Sequence, residues 1–457
     1  MSDPSQSIQP IQPALRQPSP AYLDATRAEV QSKIDAARAA EADLPEFHTP
    51  DYWEAAEGDV DKRESELRSL LADIHAHPEV AFEETYAQER IAQALERAGL
   101  GLEVERGAFG VDTSLRARYQ GKPGGRTVAV LAEYDALPGL GHACGHNVIA
   151  TAGVGGFLAA VAALRSAGGA GTVVFLGTPA EEGHSGKEYM IRGGALEGID
   201  AAVMIHPFAH DIAAHYWNGR RSLSATFRGI SAHASAQPFM GRNALDAATL
   251  AYQGFGLLRQ QMPPSDRLHA VLTEGGQRAS VIPDTAVLQM YVRSLYPETL
   301  VDLSERVDAV LRGAALMAGC EVEVNWDDHP ATLPLRNNGP LSRRWAASQR
   351  ARGRHPLPAG IIPSSLAAST DFGNVSHLVP GLHPMVKIAP DEVALHTEAF
   401  ERCAITEDAY RGALDSAVGL GQVAADFLLD DAFAEAARAE FEAAGGAKTS
   451  SEFFSTR

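Results

Sequence analysis

Three short apolar runs that close on polar or charged residues constrain the fold of this chain more than any other feature. They are TVAVLAEYD at 127–135, TVVFLGTPAEE at 172–182 and AAVMIHP at 201–207. Runs of this length and composition suit strands buried on both faces. A helical stretch of small residues, VIATAGVGGFLAAVAAL at 148–164, separates the first two, and a shorter one around Lys187 to Ile191 precedes the third. Such alternation calls for an α/β fold with a largely parallel sheet and right-handed crossovers. Sheets of this kind bind ligands beyond the carboxyl ends of their strands, where the loops converge. Asp135, Glu181, Glu182 and His206 all fall at that edge.

Around this centre, apolar residues recur at helical spacing between Leu23 and Ala40 and again from Asp61 to Leu100, with a break at Pro78. These segments are expected as surface helices. From 218 to 326 the pattern changes to alternating segments, SLSATFRGISAH, TAVLQMYVRS and CEVEVNW, with helices near 241–261 and 299–317. That reads as a smaller α+β domain inserted into the first. The expected boundaries are a flexible arm at 1–22, a discontinuous catalytic domain at 23–217 and 329–444, the inserted domain at 218–328, and a tail at 445–457. The arm is rich in Pro, Gln and Ser and cannot bury a face; the tail reads the same way.

Composition excludes several functions. Thirty-nine basic against 58 acidic side chains give a net charge of -19, the wrong sign for a partner of nucleic acid. The start lacks the basic and apolar segments of a secretory signal, and no run of about 18 apolar residues stands out, so no membrane partner and a cytoplasmic location are expected. Three cysteines, Cys144, Cys320 and Cys403, are too few for a disulfide framework and suit a reducing compartment.

Chemistry concentrates in two clusters. In GLGHACGHN (139–147), Cys144 and His146 lie two apart in a Gly-rich turn, a spacing that lets a thiolate and an imidazole face one cation. In PAEEGHSGKE (179–188), Glu181 and Glu182 are adjacent just past a buried strand and must be solvated, paired or bound to metal. With Asp135 and His206 on the neighbouring loops, the set describes a metal site. Its mix of hard and soft donors suggests two divalent ions, with zinc suiting the thiolate and manganese or cobalt able to occupy the carboxylate side. One of the two glutamates is the natural base, and spacing leaves open which.

The chain resembles the dinuclear metallopeptidase and amidohydrolase family of aminoacylases, carnosinases, aminobenzoyl-glutamate hydrolase and plant auxin-conjugate hydrolases. The resemblance runs from LLADIHAHPEVAFEE (70–84) through AEYDALPGLGHACGHN, PAEEGHSGKEYM, GISAHASAQPF and STDFGNVSH to ALHTEAF (394–400). Its wording is similar to the branch with aminobenzoyl-glutamate hydrolase and the basic-dipeptide hydrolases. The resemblance implies Cys144, His146, Glu182, His206 and His396 as metal ligands, Glu181 as general base and Asp135 as an orienting acid. It implies that His233, in the inserted domain, braces the oxyanion in the active site of a partner subunit, hence a homodimer formed through that domain.

Two positions depart from the family pattern. Ser280 stands where relatives often carry an Asn that helps hold the substrate, which leaves Arg278 and Arg293 as candidates to grip a substrate carboxylate. Asn147 replaces the Asp of the auxin-conjugate branch. The expected activity is metal-dependent hydrolysis of the amide in a small N-acyl amino acid or dipeptide-like substrate. Two alternatives are a thiol amidase with Cys144 as nucleophile, and a non-catalytic metal-binding relative.

Overall fold

The computed structural model describes residues 18–41 and 47–454. The chain parts into two compact units, 1–45 and 46–457. In the first, helix α1 covers Ala21–Glu41, within the span where the catalytic domain is expected to open. Most of the arm expected at 1–22 lies outside the described residues.

The second unit opens with α2 (Tyr52–Ala76) and α3 (Thr85–Arg97). The expected single stretch from 61 begins earlier because Trp53, Ala56 and Val60 extend the buried stripe toward the N-terminus. Neither helix is a surface element only: Leu67, Leu71, Ile74, Ile91 and Leu95 are buried. Then follow β1 (Val104–Arg106), β2 (Leu115–Gln120), β3 (Lys122–Ala132), α4 (His146–Ser166), β4 (Ala170–Gly177), α5 (Gly186–Arg192), β5 (Ala201–Val203) and β6 (His206–Phe208). After the segment 219–326 the chain returns through α8 (Gly339–Ala351), α9 (Phe372–Ser376), β11 (Gly381–Leu382), β12 (Met385–Lys387), α10 (Glu398–Cys403), α11 (Glu407–Leu429), α12 (Asp431–Ala443) and α13 (Ser450–Phe454).

The main sheet has the order β1-β2-β4-β3-β5-β11. Strands β4, β3, β5 and β11 run parallel, and β2 and β1 add an antiparallel edge. Two of the apolar runs leave the sheet before their polar ends, since β3 stops at Ala132 and β4 at Gly177. Glu133 to Asp135 and Thr178 to Glu182 are therefore loop, free of the alternation a strand imposes.

Behind the sheet, α4 and α11 cross at close range. A Cβ added to Gly421 would stand 2.4 Å from the Cβ of Ala159, and one on Gly156 2.7 Å from the Cβ of Leu420. The small residues of 148–164 therefore serve backbone-close helix packing. Among the described residues, α4 is the one helix long and apolar enough to cross a membrane, and 94% of its apolar window is buried inside the fold.

Within 219–326, strands β7 (Gly219–Arg228), β8 (Arg267–Glu274), β9 (Thr285–Ser294) and β10 (Glu321–Trp326) form an antiparallel sheet of order β10-β7-β9-β8. Helices α6 (Ala244–Leu258) and α7 (Pro297–Ala318) cover one face over a core of Leu223, Phe227, Phe255, Leu288, Val307 and Leu311. The other face carries Arg220, Ser222, His269, Tyr291 and Arg293.

The tail departs from expectation. Helix α13 places Phe454 against the core of the second sheet and under the Arg221 guanidinium at 4.5 Å, and Ser450 Oγ donates to Glu188 at 2.6 Å. A five-residue helix is too short to show a period. Gly421→Val should force α11 off α4 and lower stability by about 1–3 kcal/mol, measured by urea denaturation. Unchanged stability would mean the crossing tolerates a side chain.

Candidate metal centre

The centre forms where the loops after β3, β4 and β5 meet the start of α4. Cys144 and His146 flank Gly145, which caps α4 with φ 78°. A Cβ there would lie 2.9 Å from the ring of Pro207, so glycine is needed for the turn and for the approach of the His206 loop. Cys144 Sγ lies 3.4 Å from His206 Nε2. Across the site, His396 Nε2 stands 3.3 Å from Glu182 Oε1, and the His396 amide donates to the carbonyl of Ala143 at 3.0 Å. Ala180 and His396 hold left-handed backbone (φ 60° and 59°), a cost that side-chain-bearing residues meet mainly at functional sites.

Ligand atoms of Cys144, His146 and His206 all lie within 4.8 Å of one another, as do those of Cys144, Glu182 and His396, and of His146, Glu181 and Glu182. Hydrogen bonds set the ring tautomers. His206 Nδ1 donates to the carbonyl of Pro207 at 2.8 Å, and His146 Nδ1 lies 3.0 Å from Asp135 Oδ1, so both rings turn Nε2 to the centre. Asp135 also accepts the amide of Glu182 at 2.9 Å, which fixes the acid to both the α4 turn and the glutamate loop. His146 Nε2 is buried without a hydrogen-bond partner. Such a donor set fits divalent cations, and an orphaned buried imidazole nitrogen is hard to explain without one.

Electrostatics point the same way. Burial pushes the Cys144 thiol well up, and Glu182 adds to it. Glu181 is raised well above the usual carboxylate range by burial, then by Glu133 and Glu182. His206 is pulled down to about 3 by burial, with His146 and His396 adding. Burial opposes charge on His146 too, but Asp135 and Cys144 outweigh it and raise that imidazole well above its ordinary value. The cluster holds more potential negative charge than its own cations balance, so it must take up protons or metal.

Every candidate residue of the parallel-sheet edge, together with His396, is thus gathered into one place. Four neighbours are not singled out by the sequence: Glu84, Glu133, Lys187 and Asp371. Glu84 Oε1 accepts the amide of Ala180 at 2.8 Å. Glu133 and Lys187 lie inside the quoted motifs and Asp371 inside STDFGN; a charge within a run bound for the interior is the signal that could have marked them.

The inserted-domain candidates lie elsewhere. His233 is exposed, and its Nδ1 accepts the amides of Ser235 and Ala236 at 3.2 and 3.1 Å, which puts the ring proton on Nε2. Arg278 and Ser280 sit on the adjoining loop, where the carbonyl of Ser280 accepts the amide of Ala234 at 3.0 Å. Among the described residues, no hydrogen bond, ion pair or ring contact joins these three to the metal cluster. Arg293 is on β9 directly opposite Arg220 on β7, and both guanidiniums pack on Tyr291, at 5.0 and 5.1 Å from its ring centre. Arg220 donates to the carbonyl of Gly183, next to Glu182, at 3.1 Å. Beside them lies a cavity of about 480 Å³ lined by Gly183, Ser222, His269, Tyr291, Asp328 and His329.

Burial, aided by Asp135, raises Glu84 to about 7. A carboxyl whose pKa is higher folded than unfolded binds its proton more tightly in the native state, so stability is lost as pH rises from about 4.5 toward 7. Metal-free Glu84→Gln keeps the acceptor for Ala180 and should lose that slope, with a Tm at pH 8 at or above wild type. An unchanged slope would place the effect on another group.

Residues 129–414 match the profile of peptidase family M20/M25/M40. The chain is 34% identical over 400 residues to the Xaa-Arg dipeptidase of Mus musculus, covering 84% of this chain and 90% of the relative. It is 37% identical over 281 residues to a chain of the p-aminobenzoyl-glutamate hydrolase of Escherichia coli, covering 56% of this chain and 57% of that one. Among solved structures, a dinuclear metal binding peptidase from Bacillus subtilis aligns with a TM-score of 0.58 at 21% identity, covering 79% of this chain and 99% of the other. The aminobenzoyl-glutamate utilization protein from Klebsiella pneumoniae aligns with a TM-score of 0.59 at 21% identity, covering 78% of this chain and 96% of the other. At such identity the structural likeness establishes the fold.

Proposed function

The chain belongs to the M20 peptidase family, and on that premise we propose that it is a two-metal hydrolase of the amide bond in small N-acyl amino acids or dipeptides. The observation that carries this reading is the convergence of two overlapping donor groups, Cys144 with His146 and His206, and Cys144 with Glu182 and His396. Cys144, His146, Glu182, His206 and His396 would hold the two ions. Zinc suits a site with a thiolate and three imidazoles, and a thiol ligand suits a reducing cytoplasm. Such ions, when bound, polarise an amide carbonyl and lower the pKa of water.

The remaining chemistry belongs to the side chains. Glu181 stands beside the ligands with a raised proton affinity, so it takes the proton of the attacking water and returns it to the leaving amine. Asp135 holds the His146 ring in the ligating tautomer. His233, with its proton on Nε2, is poised to donate to the oxyanion of a partner subunit. The domain 218–328 then acts as lid and dimer interface, over a catalytic domain that starts after α1. Arg278 and Ser280, on the loop beside that of His233, would meet the partner's substrate.

Arg220 and Arg293 form the candidate grip for a substrate carboxylate. Like charges directly opposite on neighbouring strands repel, and no carboxylate pairs with either among the described residues. Relatives named for Xaa-Arg dipeptides and p-aminobenzoyl-glutamate share an amide next to an amino acid, and this grip fits that class.

Glu181→Gln should lower kcat at least about 100-fold while two metal ions per chain are retained by mass spectrometry. Loss of metal from that variant would make Glu181 a ligand and sink its role as base. Chelation should abolish activity and added zinc restore it; an acyl-thioester trapped on Cys144 would favour the thiol amidase instead. Mixing inactive Glu181→Gln chains with inactive His233→Ala chains should restore one working site per mixed dimer. If the mixture stays dead, His233 does not act across subunits.

A further inference from the structure

Lys187 is 1% exposed, among the largest fully buried side chains of the protein, and the reaction above does not use it. Its ammonium donates to Glu133 and, at 2.6 Å, to Asp371 Oδ1. The Lys187 amide donates to the other oxygen of Asp371 at 2.9 Å. One lysine therefore ties together the end of β3, the first turn of α5 and the loop before α9. Glu133 keeps its second oxygen, Oε2, buried, without a hydrogen-bond partner and 3.5 Å from His146 Nε2. Ligand oxygens of Glu133, Asp371 and Glu181 all lie within 4.8 Å of one another. Three carboxylates thus crowd around a single ammonium, where unbalanced charge is costly.

We infer that Lys187 is a positioning residue for Glu181: its hydrogen bonds pin the Glu133 and Asp371 side chains behind the glutamate and so direct the Glu181 carboxylate forward, toward the metal pair. The inference rests on the proposed role of Glu181. With the ammonium in place, both carboxylates are held by hydrogen bonds from Lys187, and among the described residues no other hydrogen bond reaches their side chains, so the pair walls off the space behind Glu181. Without it, neither carboxylate keeps the donor that fixes it, the buried polar groups must turn to find new partners, and Glu181 loses the wall that holds it toward the metal side. Spacing of the three oxygens alone would also suit a cation, but the ammonium already binds two of them.

The test compares Lys187→Met, the charge-balanced Lys187→Met/Glu133→Gln/Asp371→Asn, and Glu181→Gln, all metal-loaded, by kinetics, metal content and Tm. Lys187→Met should lose about 100-fold in kcat, the range a displaced general base costs, with KM within about threefold and two metal ions retained. In the balanced variant, Tm should return toward wild type while kcat stays low, because neutral amides still offer Glu181 donors. If Lys187→Met does not fold, the balanced variant carries the same test. Wild-type kcat in Lys187→Met, or recovery of kcat together with Tm in the balanced variant, would make Lys187 a brace of the fold and overturn the inference. Should Glu181→Gln itself remain active, the assignment of the base fails and this inference with it; an inactive Glu181→Gln beside an active Lys187→Met sinks this inference alone.

Discussion

Buried negative charge at the carboxyl edge of the parallel sheet is the constraint on which the rest of the structure depends. Cys144, Glu133, Asp135 and Asp371 are buried there, with the half-buried Glu181 and Glu182 beside them, so little water is left to solvate the group. Three of them are answered by a specific partner: Asp135 by His146, Glu133 and Asp371 by Lys187. Among the described residues no lysine or arginine pairs with the thiol, Glu182 or Glu181; the exposed His396 ring faces Glu182. A folded chain can hold that imbalance only with bound cations or extra protons, and the chemistry of a hydrolase uses both.

Delivering so many groups to one point requires an accurate scaffold. The close crossing of α4 and α11 fixes the helix whose first turn carries Cys144 and His146, and the Asp135 carboxylate links that turn to the glutamate loop. The return loop is fastened by the His396 amide on Ala143. Left-handed backbone at Ala180 and His396 shows where the loops accept local cost to aim a side chain.

The inserted domain follows a different logic. Its helices cover one face of the sheet, and the open face presents Arg220, Tyr291 and Arg293 beside a cavity next to the glutamate loop. Opposed arginines repel, and among the described residues no carboxylate pairs with either, so this face carries uncompensated positive charge. At His233, two backbone amides consume Nδ1 and leave Nε2 as the donor.

The sequence alone determined the α/β class, the buried strands, the inserted second sheet and most of the cluster, because strand-end position and residue chemistry are local properties. His396 was legible only through family resemblance: it lies far along the chain, on a loop without a pattern. The strand ends at Ala132 and Gly177, the start of α2 at Tyr52, the two-residue β11 and the docked α13 needed the tertiary structure, since burial by distant segments sets them. So did the meeting of Lys187, Glu133 and Asp371, which lie far apart in sequence and give no sign there of pairing with one another. Only folding brings the three into one dry place, where a charge must find its counterpart within a few ångströms.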